Sequence, residues 1–113
     1  MGWVYGSQLK SSGAYLLGIL QAEGPVPFSR FYNDDTDYAA LAAAAGVPER
    51  DEEHAHIMIE FAAGQLENAG VVSFTPLDAK LSDGEPDFLI TLTGKGRARL
   101  ASGQPFRYRD MDL

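Results

Sequence analysis

The segment over residues 49–69 constrains the fold of this chain more than any other stretch of its sequence. At about 100° per residue, its small and apolar residues fall on one arc, the pattern of a surface helix that packs on a core. The residues of this arc are Ala55, Met58, Ile59, Ala62, Ala63, Leu66 and Ala69. Gly70 is a stop signal for this helix, while Gly46 and Pro48 end the helix before it. The sequence therefore predicts two helices joined by a tight turn.

Two large apolar residues of the second helix lie outside this arc. Ile57 and Phe61 are four residues apart and almost opposite the core face, where a surface helix normally carries polar residues. Two interpretations are open. The pair forms an exposed apolar stripe that meets a partner, or the helix is covered on this side as well, by residues 28–38 or by Phe106 and Tyr108 of a C-terminal arm.

Helical patterns also precede this pair. A helix is predicted over residues 12–22, with Ser11 or Ser12 as its cap. The aromatic segment after it predicts one short helical turn following Pro27, because three aromatic residues are spaced at i, i+3 and i+4. They are Phe28, Phe31 and Tyr32.

The first helix of the pair is rich in alanine, the residue with the highest helix propensity. It is predicted over residues 37–45, with Asp35 or Thr36 as its cap.

The remainder of the chain predicts a β-hairpin and a last short helix. Residues 71–75 and 88–93 are β-branched and apolar, as in strands. The intervening residues 76–87 contain the turn signal Asp83-Gly84 and predict a long, irregular tip. Thr93 is the expected cap of the final helix.

Together these elements predict an α+β fold that is mostly helical, with three to four helices, a two-stranded hairpin and a short C-terminal helix. One domain is expected from the length of 113 residues. Its predicted limits are residues 12–101, between an N-terminal segment over residues 1–11 and an arm over residues 102–113.

Two motifs carry a resemblance to a known superfamily. They are "LENAGVV" over residues 66–72, at a helix-to-hairpin exit, and "ITLTGKGRARL" over residues 90–100, at a hairpin-to-helix passage. With this order of elements, residues 12–101 resemble the winged helix-turn-helix superfamily, in particular small winged-helix proteins of bacteria and their phages. The resemblance implies a non-enzymatic module that acts through macromolecular binding.

In DNA-binding members of that superfamily, the second helix of the pair enters the major groove, and the wing contacts the backbone or the minor groove. The resemblance places the reading positions at residues 50–54, Ile57 and Phe61, and the wing tip at Asp78 to Asp87. This helix start carries one arginine against three acids, and the tip carries Lys80 against four acids. The sequence therefore departs from the pattern of a duplex reader.

The charge of the whole chain points in the same direction. The net charge is −7, and residues 1–94 hold four basic residues against fourteen acidic ones. Residues 95–113 hold five basic residues against two acidic ones. Since duplex binding depends on neutralising phosphates with Lys and Arg, only the C-terminal segment is suited to attract DNA.

The first functional hypothesis is therefore an acidic protein-interaction or regulatory protein. An apolar pair ringed by acids suits a protein partner with a basic surface, and a homodimer is a second form of the same contact. A narrower version is an inhibitor from a phage or mobile element that mimics nucleic acid. The predicted partner-binding residues are Asp51, Glu53, His54, Ile57, Glu60, Phe61, Asp83, Glu85 and Asp87.

Two alternatives belong to other classes. The first alternative is a DNA-binding transcriptional regulator. The second is a structural component in which Trp3, Tyr5 and the C-terminal arm, with Arg107 and Arg109, dock onto neighbours. The nucleic-acid-binding residues of the first alternative are Arg50, Lys80, Lys95, Arg97, Arg99, Arg107 and Arg109.

No enzymatic chemistry is indicated by the residue pattern. There is no cysteine, no spacing that marks an acid–base pair and no glycine-rich phosphate loop. His54 and His56 project about 200° apart on a helix, so they do not bind one metal ion together, and no metal or cofactor is expected. The sequence contains no run of about 18 apolar residues and no secretory signal, so a cytoplasmic protein without a membrane span is expected.

Overall fold

The computed structural model describes residues 2–103, with side chains from residue 7 onward. The fold is α+β and mostly helical, as the sequence predicts. The helices of this part are α1 (Gly2–Glu23), α2 (Tyr38–Ala45), α3 (Ala55–Asn68) and α4 (Gly94–Ala101). The strands are β1 (Val26–Pro27), β2 (Val72–Lys80) and β3 (Pro86–Leu92), and 3₁₀ turns occupy Phe28–Arg30 and Glu49–His54. No helix within residues 2–103 combines the length and apolar character needed to cross a membrane.

The strands form one antiparallel sheet in the order β1-β3-β2. The predicted two-stranded hairpin is present as β2 and β3, and the sheet also contains a third strand that was not predicted. The third strand, β1, pairs Val26 with Ile90. The sequence gives no signal for β1, because two residues are too few to show an alternating pattern and because their partners lie far away in the sequence.

The strands of the hairpin are longer than predicted. Strand β2 continues to Lys80, with an irregularity in register between Pro76 and Lys80, so the predicted loop over residues 76–87 is reduced to residues 81–85. Leu81 is buried in the core, and its backbone N–H donates to the carbonyl of Glu85 at 2.7 Å. The hydrogen bond closes the tip, and the burial of Leu81 ties the tip to the domain.

Helix α1 also extends beyond its predicted bounds of residues 12–22, because it begins at Gly2. Neither serine acts as a cap, since both lie inside the helix. The Ser12 side chain is fully buried, and the Ser11 hydroxyl donates to the carbonyl of Ala45 in α2. The division into residues 1–11, 12–101 and 102–113 stays a prediction, and most of the arm lies outside the described residues.

The turn predicted after Pro27 is confirmed by the 3₁₀ segment Phe28–Arg30. The predicted cap of α2 is wrong by one or two positions, because Asp37 is the cap and its carboxylate accepts from the N–H of Ala40 at 3.1 Å. Gly46 ends α2 in the left-handed region at φ 74°, as predicted. The hydroxyl of Thr93 accepts from the N–H of Gly96 at 2.9 Å, which confirms the predicted cap of α4.

The core forms where α1, α3 and the sheet meet the aromatic 3₁₀ turn. The predicted arc of α3 faces it, with six of its residues buried and Ala69 half-buried. The segment before Ala55 is 3₁₀ rather than α-helical. Phe28, Phe31, Leu16, Ile59, Leu66 and Ile90 are among the largest fully buried side chains.

Candidate interaction surface

A broad groove separates α3 from the β2–β3 hairpin. Its volume is about 1110 Å³, and we call it the hairpin groove. The α3 side contributes Phe61 and Gly64, and the hairpin contributes Phe74, Leu81 and Phe88. The rings of Phe74 and Phe88 lie 4.8 Å apart between centroids, and Phe88 stacks on Phe28 at 5.1 Å. The hairpin wall is therefore aromatic and is anchored to the core.

A second, smaller groove lies between α1 and the start of α3. Its volume is about 370 Å³, and we call it the helix groove. It is lined by Gln8, Leu9, Asp51, His54, Ile57, Met58 and Phe61. Leu9 and Phe61 line both grooves, so the two grooves meet at these side chains.

Phe61 is 55% exposed, and it is the exposed large hydrophobic residue of the described chain. Ile57 is half-buried and packs against the core. The predicted outward pair is therefore one exposed side chain and one half-buried side chain. The alternative that residues 28–38 cover this face is not what the structure shows, because Phe61 stays open. Phe106 and Tyr108, the other predicted cover, lie outside the described residues.

Acidic side chains flank the hairpin groove on both walls. Glu60 and Glu67 belong to α3, while Asp83 and Glu85 belong to the hairpin tip. Burial raises the pKa of Glu60, and the nearby charge of Asp83 raises it further. Among the side chains that line either groove, over residues 7–103, there is no Lys or Arg. Apart from His54, the charged side chains that line the two grooves in this part of the chain are therefore all acidic.

The hairpin tip holds its acids in a tight turn. The carboxylate of Asp83 accepts from the N–H of Glu85 at 2.9 Å, and Gly84 between them has a φ of 88°. Both acidic residues are exposed. Because Leu81 anchors the tip in the core, Asp83 and Glu85 are held beside α3.

Asp87 differs from the other predicted partner-binding acids. The sequence places it at the end of the wing tip, but it lies within β3 and is only 4% exposed. Its carboxylate accepts from the N–H of Ser29 at 3.1 Å and from that of Phe88 at 2.8 Å. These bonds join the 3₁₀ turn to β3, so the side chain serves the fold.

The acidic start of the α3 region is partly engaged with α1. The Gln8 amide donates to the carboxylate of Asp51 at 3.3 Å, and the Arg50 Nε lies 3.7 Å from the same carboxylate. Glu53 lies 3.9 Å from the ring of His54, and both are exposed. The buried Gln8 side-chain oxygen has no hydrogen-bond partner among the described residues.

Among residues 7–103, no basic residue of the DNA-binding alternative lines either groove, but Arg50 lies beside the helix groove, at 3.7 Å from the carboxylate of Asp51. Lys80 is exposed at the end of β2, and Lys95, Arg97 and Arg99 belong to α4. Arg97 lines a separate cavity of about 370 Å³ between α4, β3 and the end of α1. Arg107 and Arg109 lie outside the described residues.

His56 is held by aromatic rings rather than by potential metal ligands. Its ring stacks on Tyr32 at 4.3 Å and lies 5.4 Å from that of Tyr38. Burial lowers the pKa of His56, His54 lowers it further, and Asp83 acts in the opposite direction. Within the described part of the chain, no group of three His, Asp or Glu residues is placed to hold a metal ion.

Several lining residues of the grooves were not identified from the sequence. Gln8 and Leu9 were missed because α1 was expected to begin at residue 12. Phe74 and Phe88 were recognised only as strand residues, although the register that places Phe88 opposite Pro76 brings their rings together. The available signal was the strand period of two, which places Phe74 on the same face of β2 as Pro76, the residue opposite Phe88.

Comparison of the chain with protein-family models, with curated proteins and with solved structures found no match to any of the three. What this surface can bind therefore follows from its shape, its apolar side chains and its charges.

Proposed function

We propose that this chain is a winged helix domain without enzymatic activity, which acts by binding a protein through the face formed by α3 and the hairpin. The order of elements supports the fold assignment, because a helix, an aromatic turn, two helices joined by a turn, a hairpin and a short helix follow one another as in that superfamily. Gly46 ends α2 and Thr93 caps α4, so the boundaries predicted from the residue pattern are compatible with this assignment.

The observation that carries the proposed function is the composition of the two grooves. In a DNA-binding winged helix, this face meets the duplex, and affinity depends on cations that neutralise phosphates. Here the grooves are lined by Phe61, Phe74 and Phe88 and by acids, with no Lys or Arg among the described lining residues. Phosphates would meet like charge at the place where the contact is needed.

A protein partner fits the same features. Protein interfaces combine an apolar centre with a polar rim, and large side chains near the centre contribute most of the binding energy. Phe61 is the exposed apolar centre. The proposed rim comprises Asp51, Glu53, His54, Glu60, Asp83 and Glu85, which suits a partner with a basic surface. We propose a regulatory role for the chain, exerted through this contact.

The test compares the full chain with its Phe61→Ser variant in affinity capture from the cells that naturally express it. Phe61 is chosen alone because Ile57 packs on the core. The matched control is Ala43→Ser, an exposed position of α2. Far-UV circular dichroism checks that both variants fold. We expect Phe61→Ser to lose proteins that the wild type and the control both retain.

A direct DNA measurement complements this test. We expect no binding of the full chain to mixed-sequence duplex at about 50 mM salt, where electrostatic binding is strong. Micromolar binding to that duplex, together with capture that does not change in Phe61→Ser, would overturn the proposed function in favour of a DNA-binding regulator.

A further inference from the structure

The hairpin groove and the helix groove are adjacent along α3, and we call the two together the trough. They share Leu9 and Phe61, and their lining residues run from Asp51 before α3 to Asn68 at its end. We propose that this trough binds an amphipathic helix of a partner protein, with large apolar side chains on one face and Lys or Arg beside them. This inference rests on the proposed function and names the chemistry of the partner.

The trough is lined by apolar side chains that are open to solvent to different degrees. Phe61 is more than half exposed, and Leu9, Ile57, Phe74 and Phe88 are half-buried around it. A helical segment that is laid along α3 would bury these side chains together, which is the way that amphipathic helices bind hydrophobic grooves. The 14 residues of α3 correspond to about 21 Å of length, so a partner helix of about four turns fits along it.

Gly64 adds an independent observation on the same face. It lies inside α3, it lines the hairpin groove, and a Cβ added there would meet no atom within 4 Å. The fold therefore does not require glycine at this position, although glycine destabilises a helix interior relative to alanine. The missing side chain lets the backbone of a bound helix approach α3 one turn after Phe61.

The charges of the two walls determine which helix fits. Glu60 from α3 and Asp83 from the hairpin line the same groove, and their mutual repulsion contributes to the raised pKa of Glu60. Glu67 and Glu85 add to this negative rim. A Lys or Arg of the partner placed between the walls would neutralise both sides.

The same charges disfavour two other occupants. A second copy of this chain would bring one acidic rim against another. The chain's own residues 104–113 carry Arg107 and Arg109, but they also carry Asp110 and Asp112, so they offer no net positive charge. A basic segment of another protein is the occupant that the trough complements.

The test uses three fluorescein-labelled synthetic peptides of about 16 residues and the full chain. The first peptide has Leu and Phe on one helical face, flanked by Lys. The second replaces every Lys with Glu, and the third replaces every Leu and Phe with Ser. Fluorescence anisotropy at about 50 mM salt is expected to show binding of the first peptide only.

Variants locate the binding in the trough. We expect Phe61→Ser to weaken binding of the first peptide at least about tenfold, as for a side chain at an interface centre. We expect the double substitution Glu60→Gln and Asp83→Asn to weaken it about fivefold, since it removes two charge pairs. The control Asp34→Asn and Asp35→Asn removes the same charge from the loop before α2 and is expected to leave the affinity unchanged.

Four outcomes would overturn the inference. Equal binding of the Lys and Glu peptides would exclude a basic partner. If the loop control loses as much affinity as the Glu60 and Asp83 variant, the peptide is attracted to the acidic surface in general and not to the trough. A dimer detected by light scattering and abolished by Phe61→Ser would make a second copy the occupant. If affinity capture depends on Phe61 and no Lys peptide binds, the proposed function stands and this inference fails.

Discussion

Ser11 and Ser12 are neighbours in α1, but only the Ser11 side chain makes a hydrogen bond among the described residues. The Ser11 hydroxyl donates to the carbonyl of Ala45, whereas the Ser12 hydroxyl is fully buried without a partner among the described residues. A buried polar group without a partner costs about 1–3 kcal/mol. Where α1 packs on the domain, the Ser11 side chain therefore stabilises the fold and the Ser12 side chain destabilises it.

Substitution of each serine by alanine should change stability in opposite directions. We expect Ser12→Ala to raise the free energy of unfolding by about 1 kcal/mol, because it removes the unpaired hydroxyl. We expect Ser11→Ala to lower it by about 1 kcal/mol, because the carbonyl of Ala45 loses its donor. Urea unfolding followed by circular dichroism measures both. A loss of stability in Ser12→Ala would show that its hydroxyl has a partner.

His56 is expected to make stability depend on pH. Its pKa is lowered in the fold, by burial first and by His54 second, so the unfolded chain binds a proton more readily than the folded chain does. Its contribution is therefore fully present above the ordinary pKa of about 6.5 and is lost as the pH falls through the lower, folded value. The pKa of Glu60 is raised, so its contribution to stability is instead lost as the pH rises.

The variant His56→Phe separates the two effects, because it keeps a ring against Tyr32 and does not titrate. We expect the wild type to lose more stability than this variant when urea unfolding is compared at about pH 7 and about pH 5. Parallel pH profiles in the two proteins would contradict the assignment to His56.

Glycines at element boundaries and glycines inside elements have different roles in this fold. Gly46 ends α2 at φ 74°, and a Cβ there would overlap the Ser11 side chain. Gly18 lies within α1, where an added Cβ would meet nothing within 4 Å. One glycine is therefore required by the turn, and the other is not required by any contact.

Alanine at these two positions should distinguish the roles. We expect Gly46→Ala to lower the free energy of unfolding by about 2 kcal/mol, through the left-handed backbone and the overlap with Ser11. We expect Gly18→Ala to raise it by about 0.5–1 kcal/mol, because alanine is favoured in a helix interior. Chemical denaturation of both variants checks the contrast, and destabilisation by Gly18→Ala would indicate a contact at that face of α1.

The elements that were predicted correctly are those whose signal is local. The face of α3 follows from a helical period, and the ends of α2 and α4 follow from Gly46 and Thr93. Strand β1 could not be predicted, because Val26 pairs with Ile90 only once the chain has folded. The early start of α1 gave no signal for a similar reason, since Gln8 and Ser12 are buried by contacts with other elements rather than by their own hydropathy.

The candidate surface was predictable only in part for the same reason. Phe61 was identified from its position on α3, but the aromatic wall of the hairpin depends on strand register. Asp87 was misplaced because its partner, the N–H of Ser29, lies 58 positions earlier. In the sequence, a buried acidic residue near a turn signal cannot be distinguished from an exposed one.

At the scale of the whole molecule, negative charge exceeds what internal pairing can compensate. Residues 2–103 contain seven basic residues against fourteen acidic ones, so half of the acids lack a basic counterpart even if every cation is paired. Some pairs form locally, as between Arg30 and Glu23 at 2.5 Å. The remaining charges repel one another and oppose compaction.

Because salt screens this repulsion, we expect sodium chloride to stabilise the protein. An increase from about 10 mM to about 150 mM shortens the screening length from about 30 Å to about 8 Å. We expect the free energy of unfolding to rise by on the order of 1 kcal/mol over this range, measured by urea unfolding.

Two variants test whether the repulsion is concentrated at the trough. Glu60→Gln with Asp83→Asn removes charges that face each other across the hairpin groove, so we expect a smaller gain in stability from salt. Arg97→Gln makes the net charge more negative outside the trough, so we expect a larger gain. If salt lowers stability in all three proteins, attractive pairs outweigh repulsion in the folded chain, and the acidic surface does not need a basic partner to relieve it. If the first variant alone loses the salt response, the trough is the place where negative charge is concentrated, and a cationic partner would stabilise the domain most by binding there.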